Sequence, residues 1–149
     1  MSKLIPILIG VLLLITGCST TYKIHTDSTK ELTKELKELF PSIEKVHFTF
    51  THPNLSCRID MSEEPSKEEL ESILTVIKRF TTVDNMNEIA RSVKWGLEIS
   101  KIYLDMNTDE DTKTIEHAYY ARYFKTSNAS DYSETNIEGY RIWYEINEK

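Results

Sequence analysis

The sequence predicts an α+β domain, a two-layer sandwich of a mainly antiparallel sheet of about five strands with two or three helices on one face. Three observations predict it. Two stretches near the middle alternate apolar and polar residues with a strict period of two. Stretches on either side of them carry apolar residues at helical spacing behind capping signals. The last third has strand composition and no helical stripe. The order is α-β-β-α-α-β-β-β, and every apolar stripe is one-sided, so the helices should cover one face of the sheet and leave the other open.

The first helix starts at Ser28-Thr29-Lys30-Glu31, which matches the S-x-x-E capping box. Leu32, Leu36, Leu39 and Phe40 follow on one stripe, and Pro41 stops the helix. The charged residues of the other face, Lys30, Lys34, Lys37, Glu35 and Glu38, read as a solvated surface. Val46, Phe48 and Phe50 then alternate with Lys45, His47, Thr49 and Thr51. After His52-Pro53-Asn54 the alternation resumes, with Leu55, Cys57, Ile59 and Met61 against Ser56, Arg58, Asp60 and Ser62. Two such runs around a Pro-Asn turn predict a β-hairpin.

Ser66-Lys67-Glu68-Glu69 forms a second capping box, and Leu70, Ile73, Leu74, Ile77 and Phe80 make the clearest helical stripe in the chain. A third helix is expected from Asn85, with Met86, Ile89, Ala90 and Val93 as its stripe and Gly96 as its end. Strands are expected at Glu98–Met106, Glu116–Phe124 and Tyr140–Ile146, separated by polar loops at Asn107–Lys113 and Thr126–Glu138. In the last strand Tyr140, Ile142, Tyr144 and Ile146 share one face, and Arg141, Trp143 and Glu145 the other. No internal repeat and no second domain is visible.

The chain has 149 residues and a formal net charge of -6. It has no Lys/Arg cluster, so its field repels nucleic acid and anionic lipid, and no nucleic-acid partner is expected. Of the two cysteines, Cys57 alternates with Leu55 and Ile59, which points it into the core as a small hydrophobe.

The N-terminus carries the most specific signal. Met1-Ser2-Lys3 supplies a positive start, and Leu4 to Ile15 is an apolar run of twelve residues interrupted by Pro6 and Gly10. A bilayer-spanning helix needs roughly 20 apolar residues, so this run is too short for a comfortable span. It is followed by Ile15-Thr16-Gly17-Cys18. That run resembles the lipobox of bacterial lipoproteins. The resemblance covers residues 1–18 only, and residues 19–149 resemble no family. It implies that Ile15, Thr16 and Gly17 are read by the signal peptidase. Cleavage before Cys18, a diacylglyceryl thioether on its sulfur and acylation of the new N-terminus would follow. It also implies lipid attachment on the extracytoplasmic side of a bacterial cell membrane, or on an outer membrane where one exists. Ser19 stands where Asp would retain the protein in an inner membrane.

The organisation expected is therefore a signal peptide over 1–17, a lipidated N-terminus and tether over 18–27, and one domain over 28–149. Loss of residues 1–17 removes Lys3 and no acid, which takes the net charge to -7. A flexible tether of about nine residues reaches roughly 15–18 Å.

Three segments are candidates for chemistry. Asp105, Asn107, Asp109 and Glu116 fall at the first, third, fifth and twelfth positions of the calcium loop D-x-[DN]-x-[DN]-G-x5-E. Against that match, Glu110 replaces the turn glycine, Thr112 replaces the usual apolar residue, and the flanks read as strands. A solvated hairpin loop and a weak calcium site both remain readings. The four histidines are scattered, no H-x-x-H, CxxC or G-x-S-x-G is present, and no cofactor is expected. His47, Arg58 and Asp60 can meet on the polar face of the hairpin, where cross-strand salt bridging is the plainer account. The third segment is aromatic. Tyr119, Tyr120, Tyr123 and Phe124 crowd one strand, so Tyr103, Tyr119, Tyr123 and Trp143 are candidates to line the open face. Trp and Tyr are frequent anchors of interfaces. The reading is a non-catalytic binding or accessory lipoprotein for an envelope or membrane protein. A calcium-responsive form and an envelope hydrolase are the alternatives.

Overall fold

A computed structural model describes residues 19–147. It is an α+β fold. Its elements are β1 (Thr21–Lys23), α1 (Asp27–Leu39), β2 (Ile43–Thr51), β3 (Asn54–Met61), α2 (Lys67–Phe80), α3 (Val83–Ser92), β4 (Lys101–Asn107), β5 (His117–Arg122) and β6 (Trp143–Glu145). The six strands lie side by side in chain order. All neighbours are antiparallel except β3 and β4, which are parallel. A parallel pair needs a crossover rather than a hairpin, and α2 and α3 supply it.

One apolar face of the sheet packs against the helices. Phe48, Cys57, Leu104 and Tyr119 lie in register across β2 to β5, as do Phe50, Leu55, Ile102 and Ala121. They form one core with Leu32 and Leu36 of α1, Ile73, Ile77 and Phe80 of α2, and Met86, Ile89 and Ala90 of α3. Cys57 is buried at the centre of this face and forms no disulfide among the described residues. Burial pushes its thiol well above the ordinary range, and the Asp105 carboxylate adds to the effect.

Several expectations are corrected. Residues 21–23, expected in the tether, form β1, which pairs with Thr49 to Thr51 and adds a sixth strand. Helix α1 begins earlier than its capping box, because Thr26 is the N-cap and accepts the Thr29 N–H at 3.3 Å. In the second box Ser66 accepts the Glu69 N–H at 3.1 Å, as expected, but the Glu69 carboxylate turns away to accept the Ser42 hydroxyl at 3.1 Å. Helix α3 is capped by Thr82 rather than Asn85. It ends at Ser92, not at Gly96, because Lys94 takes the left-handed conformation at φ 58°. The Trp95 N–H then reaches the Ala90 carbonyl at 2.8 Å and the Lys94 N–H the Arg91 carbonyl at 3.0 Å, the double bond of a Schellman end.

The last strand is shorter than expected. Gly139 and Tyr140 have φ 55° and 63°, so the chain turns there and β6 begins only at Trp143. Tyr140 is buried and donates its hydroxyl to the Ile99 carbonyl at 2.6 Å. Among the described residues no helix is long and apolar enough to cross a membrane. Residues 1–18, including the lipobox and Cys18, lie outside the described residues.

Candidate functional site: the open face of the sheet

Period-two alternation puts the polar residues of β2 to β6 on the face that carries none of the described helices. On that face Tyr103 of β4 pairs with Tyr120 of β5, and Tyr120 with Tyr144 of β6. Tyr120 and Tyr144 stack with ring centroids 5.0 Å apart and planes 20° from parallel, and Tyr103 lies 6.2 Å from Tyr120. The row runs on as Ser56 and Thr49 across β3 and β2. Cross-strand aromatic pairs of this kind stabilise a sheet. Here they also build a flat platform of rings with half-exposed edges.

Two cations flank the platform. The Lys101 ammonium lies 5.6 Å from the centre of the Tyr120 ring, and the Arg122 guanidinium 5.0 Å from that of Tyr144. Arg122 is fixed by a two-point bond to Glu138, with Nε donating at 2.9 Å and an Nη at 2.8 Å. The Tyr144 hydroxyl donates to the same carboxylate at 3.0 Å. Glu138 is only 6% exposed. The bonds from Arg122 hold its carboxyl below the ordinary range, against the opposing effect of burial. The same bonds push the Arg122 guanidinium further up. The platform is therefore rigid at its β5–β6 end.

Of the four aromatic residues singled out from the sequence, only Tyr103 lies on this face. Tyr119 pairs with Leu104 on the helix-covered face and is 9% exposed. Burial, and then the Glu145 charge, raises its phenol above the ordinary range. Tyr123 lies beyond the end of β5, its ring 4.8 Å from Phe124 and 5.6 Å from Tyr140. Trp143 faces away from Tyr144 and packs against the core, and its indole N–H has no partner among the described residues. The residues missed are Tyr120 and Tyr144. The parity of Ala118, Tyr120 and Arg122 against the more apolar Tyr119 and Ala121 was the available signal.

The acidic loop closes on itself. The Asn107 amide donates to the Asp111 and Thr114 carbonyls at 2.7 and 2.9 Å, and its nitrogen lies 3.4 Å from a Glu116 oxygen. Glu116 also accepts the Thr108 N–H at 2.8 Å and the Thr114 hydroxyl at 2.5 Å. Burial works against the Glu116 charge, but these bonds outweigh it and hold the carboxyl below its ordinary value. Asp109 accepts the Asp111 N–H at 2.8 Å. An amide N–H group thus lies where the ligands of a calcium loop would converge, and Asp105 takes no part in the network. Among the described residues no three His, Cys, Asp or Glu side chains are grouped so as to hold a metal ion.

Two of the four histidines, His25 and His47, line one groove beside β2, and His52 and His117 lie elsewhere. His117 bonds Glu64, which also accepts the Thr108 hydroxyl. Burial opposes the Glu64 charge, but these two partners hold its carboxyl low. His52 packs edge-on to Trp95 with centroids 4.1 Å apart. His47 pairs across the hairpin with Arg58, whose guanidinium bonds Asp60 at 2.9 Å and the Thr112 carbonyl at 2.6 Å. No protein-family model, curated protein or solved structure matches the chain.

Proposed function

We propose that the chain is an extracytoplasmic bacterial lipoprotein held at the membrane through Cys18, and that its domain is a non-catalytic binding module. The partner is a membrane or envelope protein met on the Tyr103–Tyr120–Tyr144 face. The observation that carries this reading is a stacked tyrosine row on a sheet face that no described helix covers, flanked by Lys101 and Arg122. Rigid aromatic rings beside Arg are what interface hot spots are made of. The lipobox-like run ending at Cys18 supports the address.

The test uses full-length protein expressed in a bacterium. Metabolic labelling should place fatty acid on the mature protein, and Cys18→Ser should abolish the label. A photo-crosslinking phenylalanine in place of Tyr120 should trap one protein species in intact membranes. The same group in place of Glu71, exposed on α2, should not. Tyr144→Ala should weaken that capture roughly tenfold or more. A labelled, mature-sized Cys18→Ser protein would sink the anchor. Equal cross-linking from Tyr120 and Glu71, or none from Tyr120, would sink the binding face.

A further inference from the structure

A second surface lies at the other edge of the sheet and stands independently of the lipid anchor. Strand β1 covers β2 only from Thr49 to Thr51. The Ile24 N–H adds one bond to the Phe48 carbonyl at 2.9 Å, and beyond it no described strand meets the outer edge of β2. Backbone groups of alternate residues point to the same side of a strand. Val46, two residues from Phe48, therefore turns its N–H and C=O outward to the same side as the Phe48 carbonyl.

That edge forms one wall of a groove of about 630 Å³. The opposite wall is α1, where Thr29, Lys30, Thr33 and Lys34 share one helical face. The floor is apolar, made by Ile24, Val46 and Phe48. Lys23 and His25 close one end, and His47 lies on the β2 wall. The groove is thus lined by three lysines and two histidines and by no aspartate or glutamate, in a chain whose net charge is -6. Lys30 and Lys34 do have acidic neighbours outside it, Asp27 at 4.0 Å and Glu38 at 3.8 Å. Both are exposed surface pairs of the kind that contributes little and yields to a better partner.

An edge strand facing a helix across an apolar floor is the geometry in which an extended peptide adds as a further strand. The backbone edge supplies hydrogen bonds, the floor takes alternate side chains, and the rim selects charge. A small amphipathic acid would satisfy the lysines and the floor, but it would leave the Val46 backbone unpaired. We propose that the groove between α1 and the outer edge of β2 binds an extended acidic segment of a partner protein. The segment pairs with the Val46 backbone and lays its carboxylates against Lys23, Lys30 and Lys34.

The probe is a short fluorescein-labelled peptide of alternating valine and glutamate, followed by fluorescence anisotropy on the full-length protein in detergent. Saturable binding that weakens with salt is expected, together with slower hydrogen exchange at the Val46 amide. The matching valine–lysine peptide should bind at least roughly tenfold more weakly. Lys23→Glu, Lys30→Glu and Lys34→Glu combined should cost the acidic peptide a similar factor of about ten. These side chains are on the surface, so circular dichroism should show the fold intact. Thr33→Trp, which fills the groove without changing its charge, should also block the peptide. No binding, equal binding of the two peptides, or full affinity in the triple variant would overturn the proposal. Displacement by decanoate with no protection of Val46 would assign the groove to a small amphiphile and overturn it as well.

Discussion

Glu138 shows how much one buried carboxylate does here. It accepts both bonds of the Arg122 fork and the Tyr144 hydroxyl, and so ties the β5–β6 end of the tyrosine row to the loop before β6. Its folded carboxyl is held below the unfolded value of about 4.3. A depressed carboxyl stabilises the fold above the unfolded value and loses that stabilisation as pH falls through the folded one. Glu138→Gln should therefore lower stability by about 2 kcal/mol near neutral pH, since it leaves Arg122 without its charge partner. The deficit should shrink at a second, acidic pH below the folded carboxyl's own depressed value, where the wild-type carboxyl is itself protonated. Urea unfolding at both pH values checks this, and a deficit of the same size at each would show that the charge is not its source.

At the scale of elements, periodicity carried most of the information. The stripe from Leu70 to Phe80 and the alternation through β2 and β3 appear as expected because each is set by the burial of one face. Ends were less legible. Thr26, Ser28, Thr82 and Asn85 are all competent caps by residue type, and the choice among them depends on which turn the packed helix needs. The end of α3 is the sharpest case. Gly96 has the composition for a left-handed stop, yet Lys94 occupies it, because Trp95 must fold back onto Phe50 and His52. A side chain at this φ is strained, so Lys94→Gly should raise stability by about 0.5–1 kcal/mol. A denaturant midpoint that falls in that variant would contradict the assignment.

For the whole molecule, the pairing of β1 matters most. With Thr21 held against Thr51, only Ser19 and Thr20 separate Cys18 from the sheet, three backbone steps or about 10 Å at most. The expected tether is largely absorbed into the fold. A lipid on Cys18 would therefore hold the end of the sheet bearing the His52–Pro53 turn and Trp95 against the bilayer. Leu97 is exposed at that end, at 61%, and Glu63 lies at the other. A fluorophore on Leu97→Cys should be quenched by lipid-phase quenchers more strongly than one on Glu63→Cys in membrane-bound protein. The native Cys57 is buried and should take no label. Stronger quenching at position 63 would refute this orientation.

By itself the sequence determined the α+β class, the hairpin, the helix stripes and the burial of Cys57. All of these follow from local periodicity and from the need to bury one face. Tertiary structure alone decided which aromatic rings meet. Tyr119 and Tyr120 are neighbours in the chain, and only the register of β5 against β4 and β6 sends one into the core and the other onto the open face. Register is a long-range property, and a slip of one residue exchanges the two faces. The acidic loop and the groove beside β2 were illegible for the same reason. The loop's amide network depends on contacts across the turn, and the groove on how far β1 extends along its neighbour.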